Sequence, residues 1–208
     1  MGFFNSIKNV DELLAKVGYL RQYLRVYDAN EIILFKFKDK GESRVLSNLW
    51  GCSEPLPWKG KYYNSVEQMI ITSYIEDNCN PKYKEELEVV LDLIYKCKDG
   101  QEVKENEKIQ RLLNIVRNET IARIGEEKWF LNTWDIKSKA IRIKYDLCLE
   151  FKNFVDANKD KYFCENSHWQ TIPRSGVLKV TDKSSPLFNK YIGANHTGIA
   201  IQMCVNGK

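Results

Sequence analysis

The sequence predicts an α+β protein that is predominantly helical, and three observations carry that expectation. Apolar residues recur at helical spacing through most of 64–158, short β-type runs appear only toward the two ends, and glycine and proline cluster between the periodic segments. The chain has 208 residues, of which 43% are hydrophobic and 29% charged, ordinary for a globular protein with a packed core. Lys and Arg number 32 against 28 Asp and Glu, a formal charge of +4. That bias is too weak to mark a protein that grips nucleic-acid backbones by charge. No run approaches the roughly 18 apolar residues of a membrane span. Six cysteines occur without CxxC spacing and away from His168 and His196. They read as reduced thiols of a cytoplasmic protein and give no zinc signature.

In chain order, Asp11 caps a helix with Leu13, Leu14, Val17, Leu20 and Leu24 on one face, ending near Tyr27. Residues 31–37 read as a strand and Asp39-Lys40-Gly41 as a turn. The segment from Ser47 to Lys61 is irregular and aromatic, with Trp50, Pro55, Pro57, Trp58 and a Lys59-Gly60-Lys61 turn. Asn64 or Ser65 then caps a helix carrying Glu67 in its first turn, where the helix dipole favours a carboxylate. Amphipathic helices follow over 82–98 and from Ile109 to Ile124, with Gly125 as a C-cap. A long helix is predicted from Asp135 to about Asn158. Beyond Asp160 the texture predicts strands, including Gly176 to Val180 and Tyr191 to Val205.

Accurately placed polar groups tend to lie in loops backed by rigid elements. Three segments have that character: Ser47-Asn48-Leu49-Trp50 with Asn64 to Gln68, then Thr133-Trp134-Asp135, then Gly193 to Gly198. Each also admits a structural explanation. Glu67 and Asp135 serve as first-turn carboxylates, Trp134 packs in the core, and Gly193 and Gly198 serve a tight turn. The Gly-x-Asn-x-x-Gly spacing is not read as a dinucleotide fingerprint, because no βαβ unit is predicted around it.

Taken in order, these segments resemble the NADAR family. The resemblance rests on Ser47-Asn48-Leu49-Trp50, the Pro55 to Gly60 stretch, Ser65-Val66-Glu67, and Ala122-Arg123-Ile124-Gly125 before a tryptophan. It continues through Trp134-Asp135, Glu150-Phe151 and Gly193-Ala194-Asn195-His196-Thr197-Gly198. It covers about residues 31–205, with 1–30 as an N-terminal helical extension and about 78–115 as a helical insertion within a single 31–208 domain. The resemblance implies an α+β fold with small β elements that binds an ADP-ribose or ribose-phosphate moiety and hydrolyses its N-glycosidic bond.

It implies Glu67 as the catalytic acid/base and Asn48, Trp50, Tyr74, Trp134, Asp135, Gly193, Asn195 and Gly198 as ligand-binding residues, with no cofactor and no metal. The expected partner is an ADP-ribose-containing or ribosylated small molecule. ADP-ribosylated nucleic acid and a homo-oligomer are also admitted, and a membrane is not. Such chemistry needs a carboxylate to manage protons at the ribose, neutral hydrogen-bonding groups for hydroxyls and phosphates, and an aromatic wall.

Two departures stand out. The family's imine-forming lysine lies about two turns after the glutamate, on the same helix face, and here that position is Tyr74, whose phenol cannot form an imine. Before the closing motif, an Asp-x-x-Trp-Gly-like stretch is replaced by His168-Trp169-Gln170. The alternative reading is therefore a catalytically inactive relative that sequesters an NAD-derived or ADP-ribose-type signalling nucleotide.

Overall fold

The computed structural model describes residues 6–7, 11, 17–36, 41–166 and 175–207, and it is α+β and mostly helical. The chain divides into two compact units. One comprises Met1–Ser47 with Asn153–Lys208, and the other is the continuous stretch Asn48–Lys152.

The first unit holds the larger sheet. Strand β1 (Ser6–Ile7) runs parallel to β7 (Leu178–Val180), which pairs antiparallel with β8 (Tyr191–Gly193), and β8 pairs antiparallel with β2 (Arg25–Tyr27). Beside it, β3 (Ile32–Phe35) and β6 (Tyr162–Glu165) form a parallel pair. Parallel strands are typically covered on both faces, and Phe35, Phe163 and Cys164 are accordingly buried. Helix α7 (His196–Val205) packs on β6.

Two expectations are corrected here. The helix expected to run to Tyr27 gives way to a 3-10 helix, Gly18–Tyr23, and then to β2, which pairs with the far end of the chain. Residues 12–16, with Leu13 and Leu14, lie outside the described residues. The apolar run 199–203, expected as a strand, is the body of α7. Its His196, Thr197, Gly198, Ala200, Ile201 and Cys204 are all buried. A helix buried on most sides loses its polar stripe, and a short apolar run then carries no period that separates helix from strand.

The second unit begins with a hairpin, β4 (Leu56–Trp58) and β5 (Lys61–Tyr63). Its two-residue turn puts Lys59 at φ 49° and Gly60 at φ 78°, the positive-φ pair that matches strand twist. Helices α1 (Val66–Asn78), α2 (Lys84–Lys96), α3 (Gly100–Glu105), α4 (Glu107–Ile124) and α5 (Glu126–Leu147) make up its body, and residue 152, in α6 (Leu149–Ala157), ends this unit. Ile71, Ile75, Val90, Ile94, Ile109 and Leu112 form their shared core. Gly125, at φ 83°, separates α4 from α5. The long helix thus starts nine residues before the expected Asp135 and is broken at Cys148. Residues 126–134 were legible as a tryptophan-bearing approach only, because acidic Glu126 and Glu127 start the helix without a Ser, Thr, Asp or Asn cap.

The start of α1 is tied down twice. Ser65 Oγ accepts from the Gln68 backbone N–H at 3.4 Å, and Gln68 Oε1 accepts from the Asn64 N–H at 3.0 Å, a variant of the reciprocal capping box. The Gln68 amide then donates to the carbonyls of Ile94 at 2.9 Å and Cys97 at 2.8 Å. One buried side chain therefore links the N-terminus of α1 to the C-terminus of α2. Replacing Gln68 with methionine keeps the volume and removes these bonds. It should cost about 2 kcal/mol, read as a lowered urea midpoint at unchanged slope.

Candidate functional site

In the second unit the sequence-predicted residues Asn48 and Glu67 are brought together. The irregular segment after the 3-10 helix Glu42–Leu46 is held by backbone bonds. The Glu67 N–H donates to Asn48 O at 2.9 Å, the Gly100 N–H to Leu49 O at 3.1 Å, and the Cys52 N–H to Asn64 O at 2.7 Å. The starts of α1 and α3 therefore meet on one stretch of chain. Gly100 makes the approach possible, since a Cβ there would lie 2.7 Å from Glu67 Cβ and 2.8 Å from Leu49 Cα. Asp99 caps α3, accepting from the N–H groups of Gln101 and Glu102.

This packing places a lysine beside the carboxylate: Lys104 Nζ lies 3.6 Å from Glu67 Oε1. The Glu67 side chain is 16% exposed and that of Lys104 is 48% exposed. A pair this wet contributes under about 1 kcal/mol to stability, so stability is a weak explanation for it. Asn48 is 6% exposed, and its Oδ1 is buried with no hydrogen-bond partner among the described residues. A buried acceptor left unmade is costly, and a ligand hydroxyl would satisfy it. A carboxylate that can carry a proton, an ammonium and an orphan amide acceptor thus lie along the segment joining the first turns of α1 and α3.

The other candidates of this unit lie in different settings. Tyr74 belongs to the helical core, its ring edge-on to Trp129 at 6.2 Å between centroids. Burial raises the pKa of its hydroxyl. Trp134 is half-buried and packs at a tilt against Phe130, 6.4 Å between centroids. Asp135, expected at a helix start, sits inside α5, exposed and 2.7 Å from Lys139 one turn on. The dipole role expected for it is therefore corrected. Trp50 is half-buried in the segment next to Asn48.

In the first unit, Gly193, Asn195 and Gly198 form the junction of β8 with α7, the last described element, so the motif joins a strand to a helix without a βαβ unit around it. Asn195 adopts the left-handed conformation, φ 48° and ψ 41°, one of the few non-glycine residues that does so readily. Its Nδ2 donates to Phe163 O at 2.9 Å. A Cβ on Gly193 would lie 2.1 Å from Gly176 O, and one on Gly198 would lie 1.7 Å from Phe163 O. Both glycines therefore serve close backbone approach. Thr197 Oγ1 donates to Glu165 Oε2 at 2.8 Å and fastens the first turn of α7 to β6. His168, Trp169 and Gln170 lie outside the described residues.

Sequence reasoning missed Lys104 and Gly100. Asp99-Gly100 read as a charged turn, and Lys104 sits in a charged stretch that gives no sign of facing Glu67. Among the described residues, no three His, Cys, Asp or Glu are grouped to hold a metal, and no helix is long and apolar enough to cross a membrane. Compared with known protein families, curated proteins and solved structures, the chain gives no match.

Proposed function

We propose that this protein binds an ADP-ribose or ribose-phosphate moiety and hydrolyses its N-glycosidic bond at Glu67. The observation that carries the reading is the Glu67 carboxylate with Lys104 Nζ at 3.6 Å and the unpartnered Asn48 amide oxygen on the same tied segment. In this reading Glu67 accepts a proton from the water that attacks the anomeric carbon. A C–O bond forms, the C–N bond breaks, and the proton passes to the departing nitrogen. Asn48 Oδ1 accepts from a ribose hydroxyl. The Lys104 ammonium, 3.6 Å from the carboxylate, offers N–H donors to a ligand oxygen.

A second reading, sequestration without turnover, is favoured by Tyr74, which occupies the position of the family's lysine and is packed into the core. Incubation with an ADP-ribosylated guanine oligonucleotide, a ribosylamine phosphate and an NAD-derived cyclic nucleotide, followed by mass spectrometry, separates the two. Hydrolysis predicts free base or amine together with the ribosyl product. Sequestration predicts the intact compound released on denaturation. Neither product nor retained compound would count against both.

A further inference from the structure

A cleft of about 220 Å³ lies between the last residues of α1, the bend at Asn80 and Pro81, and the final turns of α4. It is at the opposite end of α1 from Glu67, about 16 Å along the helix axis. The volume is roughly seven times that of a water in the liquid. It falls below the roughly 300–1,000 Å³ of pockets that take drug-sized ligands, so the cleft suits a compact metabolite.

Its lining carries one side chain of each sign, Glu119 and Arg123. They stand one turn apart on α4, a spacing at which opposite charges usually close on each other. Here each turns to a different partner. Glu119 Oε1 accepts from Lys82 Nζ at 2.9 Å and from the Tyr83 hydroxyl at 3.3 Å. Arg123 Nη2 donates to Asn78 Oδ1 at 3.3 Å, and Asn78 Nδ2 donates in turn to Tyr74 O at 2.9 Å. These bonds leave Glu119 Oε2 and the remaining guanidinium N–H groups without a partner among the described residues. The bond from Lys82 holds the Glu119 carboxyl below its usual range, so it is ionised at neutral pH.

The end of α1, at Asn78 and Cys79, adds the negative partial charge of a helix C-terminus. Cys79 and Pro81 supply apolar surface, and the hydroxyl of buried Thr120 is committed to Val116 O at 2.7 Å. A plain anion here meets repulsion from Glu119, and a plain cation meets repulsion from Arg123. A compound that carries both charges meets neither.

We propose that this cleft binds a free α-amino acid, its carboxylate on the Arg123 guanidinium and its ammonium on Glu119 Oε2. The planar guanidinium fork matches a carboxylate through two parallel bonds. The amino-acid side chain lies toward Cys79 and Pro81. This inference does not depend on the hydrolytic reading.

The test titrates the full-length protein with the common L-α-amino acids by calorimetry, beside butylamine, butyrate and inorganic phosphate. At least one amino acid should bind, and each of the three singly charged or anionic controls should bind at least about tenfold more weakly. No amino acid bound up to about 10 mM, or a control bound as tightly, overturns the proposal. Cys79, half-buried and lining the cleft, reports the location in the unmodified protein. The bound amino acid should slow its alkylation by iodoacetamide, mapped by mass spectrometry, and leave that of half-buried Cys52 unchanged. An amino acid that binds without protecting Cys79 overturns the placement. Arg123→Gln and Glu119→Gln should each weaken binding about tenfold. Wild-type affinity in a folded variant removes that residue from the site, and if a variant fails to fold the Cys79 map still decides.

Discussion

Alanine at Gly198 should destabilise the protein more than any other single methyl group considered above. Helix α7 packs on β6 so closely that the added Cβ would stand 1.7 Å from Phe163 O and 2.6 Å from Asn195 Oδ1. The carbonyl is backbone, in a strand whose register with β3 pairs Phe163 with Ile33, so it cannot swing aside as a side chain would. Either α7 lifts off β6, breaking the Asn195 and Thr197 bonds, or the β3–β6 pair distorts. Overpacking of this kind costs about 3 kcal/mol or more, a fall of roughly 6–12 °C in melting temperature for a chain of this size. Gly41→Ala is the control. That glycine lies at φ −82° with nothing among the described residues within 4 Å of an added Cβ, and its substitution should change stability by less than about 0.5 kcal/mol. Equal melting temperatures for the two variants would refute the packing argument.

Glu67→Gln should lower the hydrolytic rate at least about 100-fold, the usual contribution of a general acid or base, while the protein stays folded. The backbone bond to Asn48 O does not involve the side chain, and glutamine retains the volume that packs on Gly100. Losing the ion pair with Lys104 costs little, because Lys104 is half-exposed. The loss should therefore fall on kcat, with binding of the ribosyl compound weakened only modestly. Activity within a few-fold of wild type, in a folded variant, would remove Glu67 from the chemistry.

What could be read from the chain follows from the range over which each signal acts. The Lys59-Gly60 turn, a cap at Asn64 or Ser65, the Ile109 to Ile124 helix and the Gly125 stop depend on neighbours a few residues apart, and such local chemistry is written in the sequence. The strand at Arg25–Tyr27 and the helical state of 199–203 depend on distant partners, whereas the start of α5 lacks a local capping signal. Arg25 pairs with Gly193, and α7 owes its apolar composition to burial against β6. At the site, the contact of Asn48 with Glu67 joins motifs that stood out in the sequence. Lys104 came into view only once α3 was seen to pack through Gly100.

The two units also differ in how they can be made. Residues 48–152 run without interruption along the chain. The other unit takes β2 and β3 from one flank and β6, β7, β8 and α7 from the other. During synthesis the helical stretch can collapse as it leaves the ribosome, whereas β3 must wait more than a hundred residues for β6 to emerge. Until then its unpaired edge is the part of the nascent chain most exposed to misassociation.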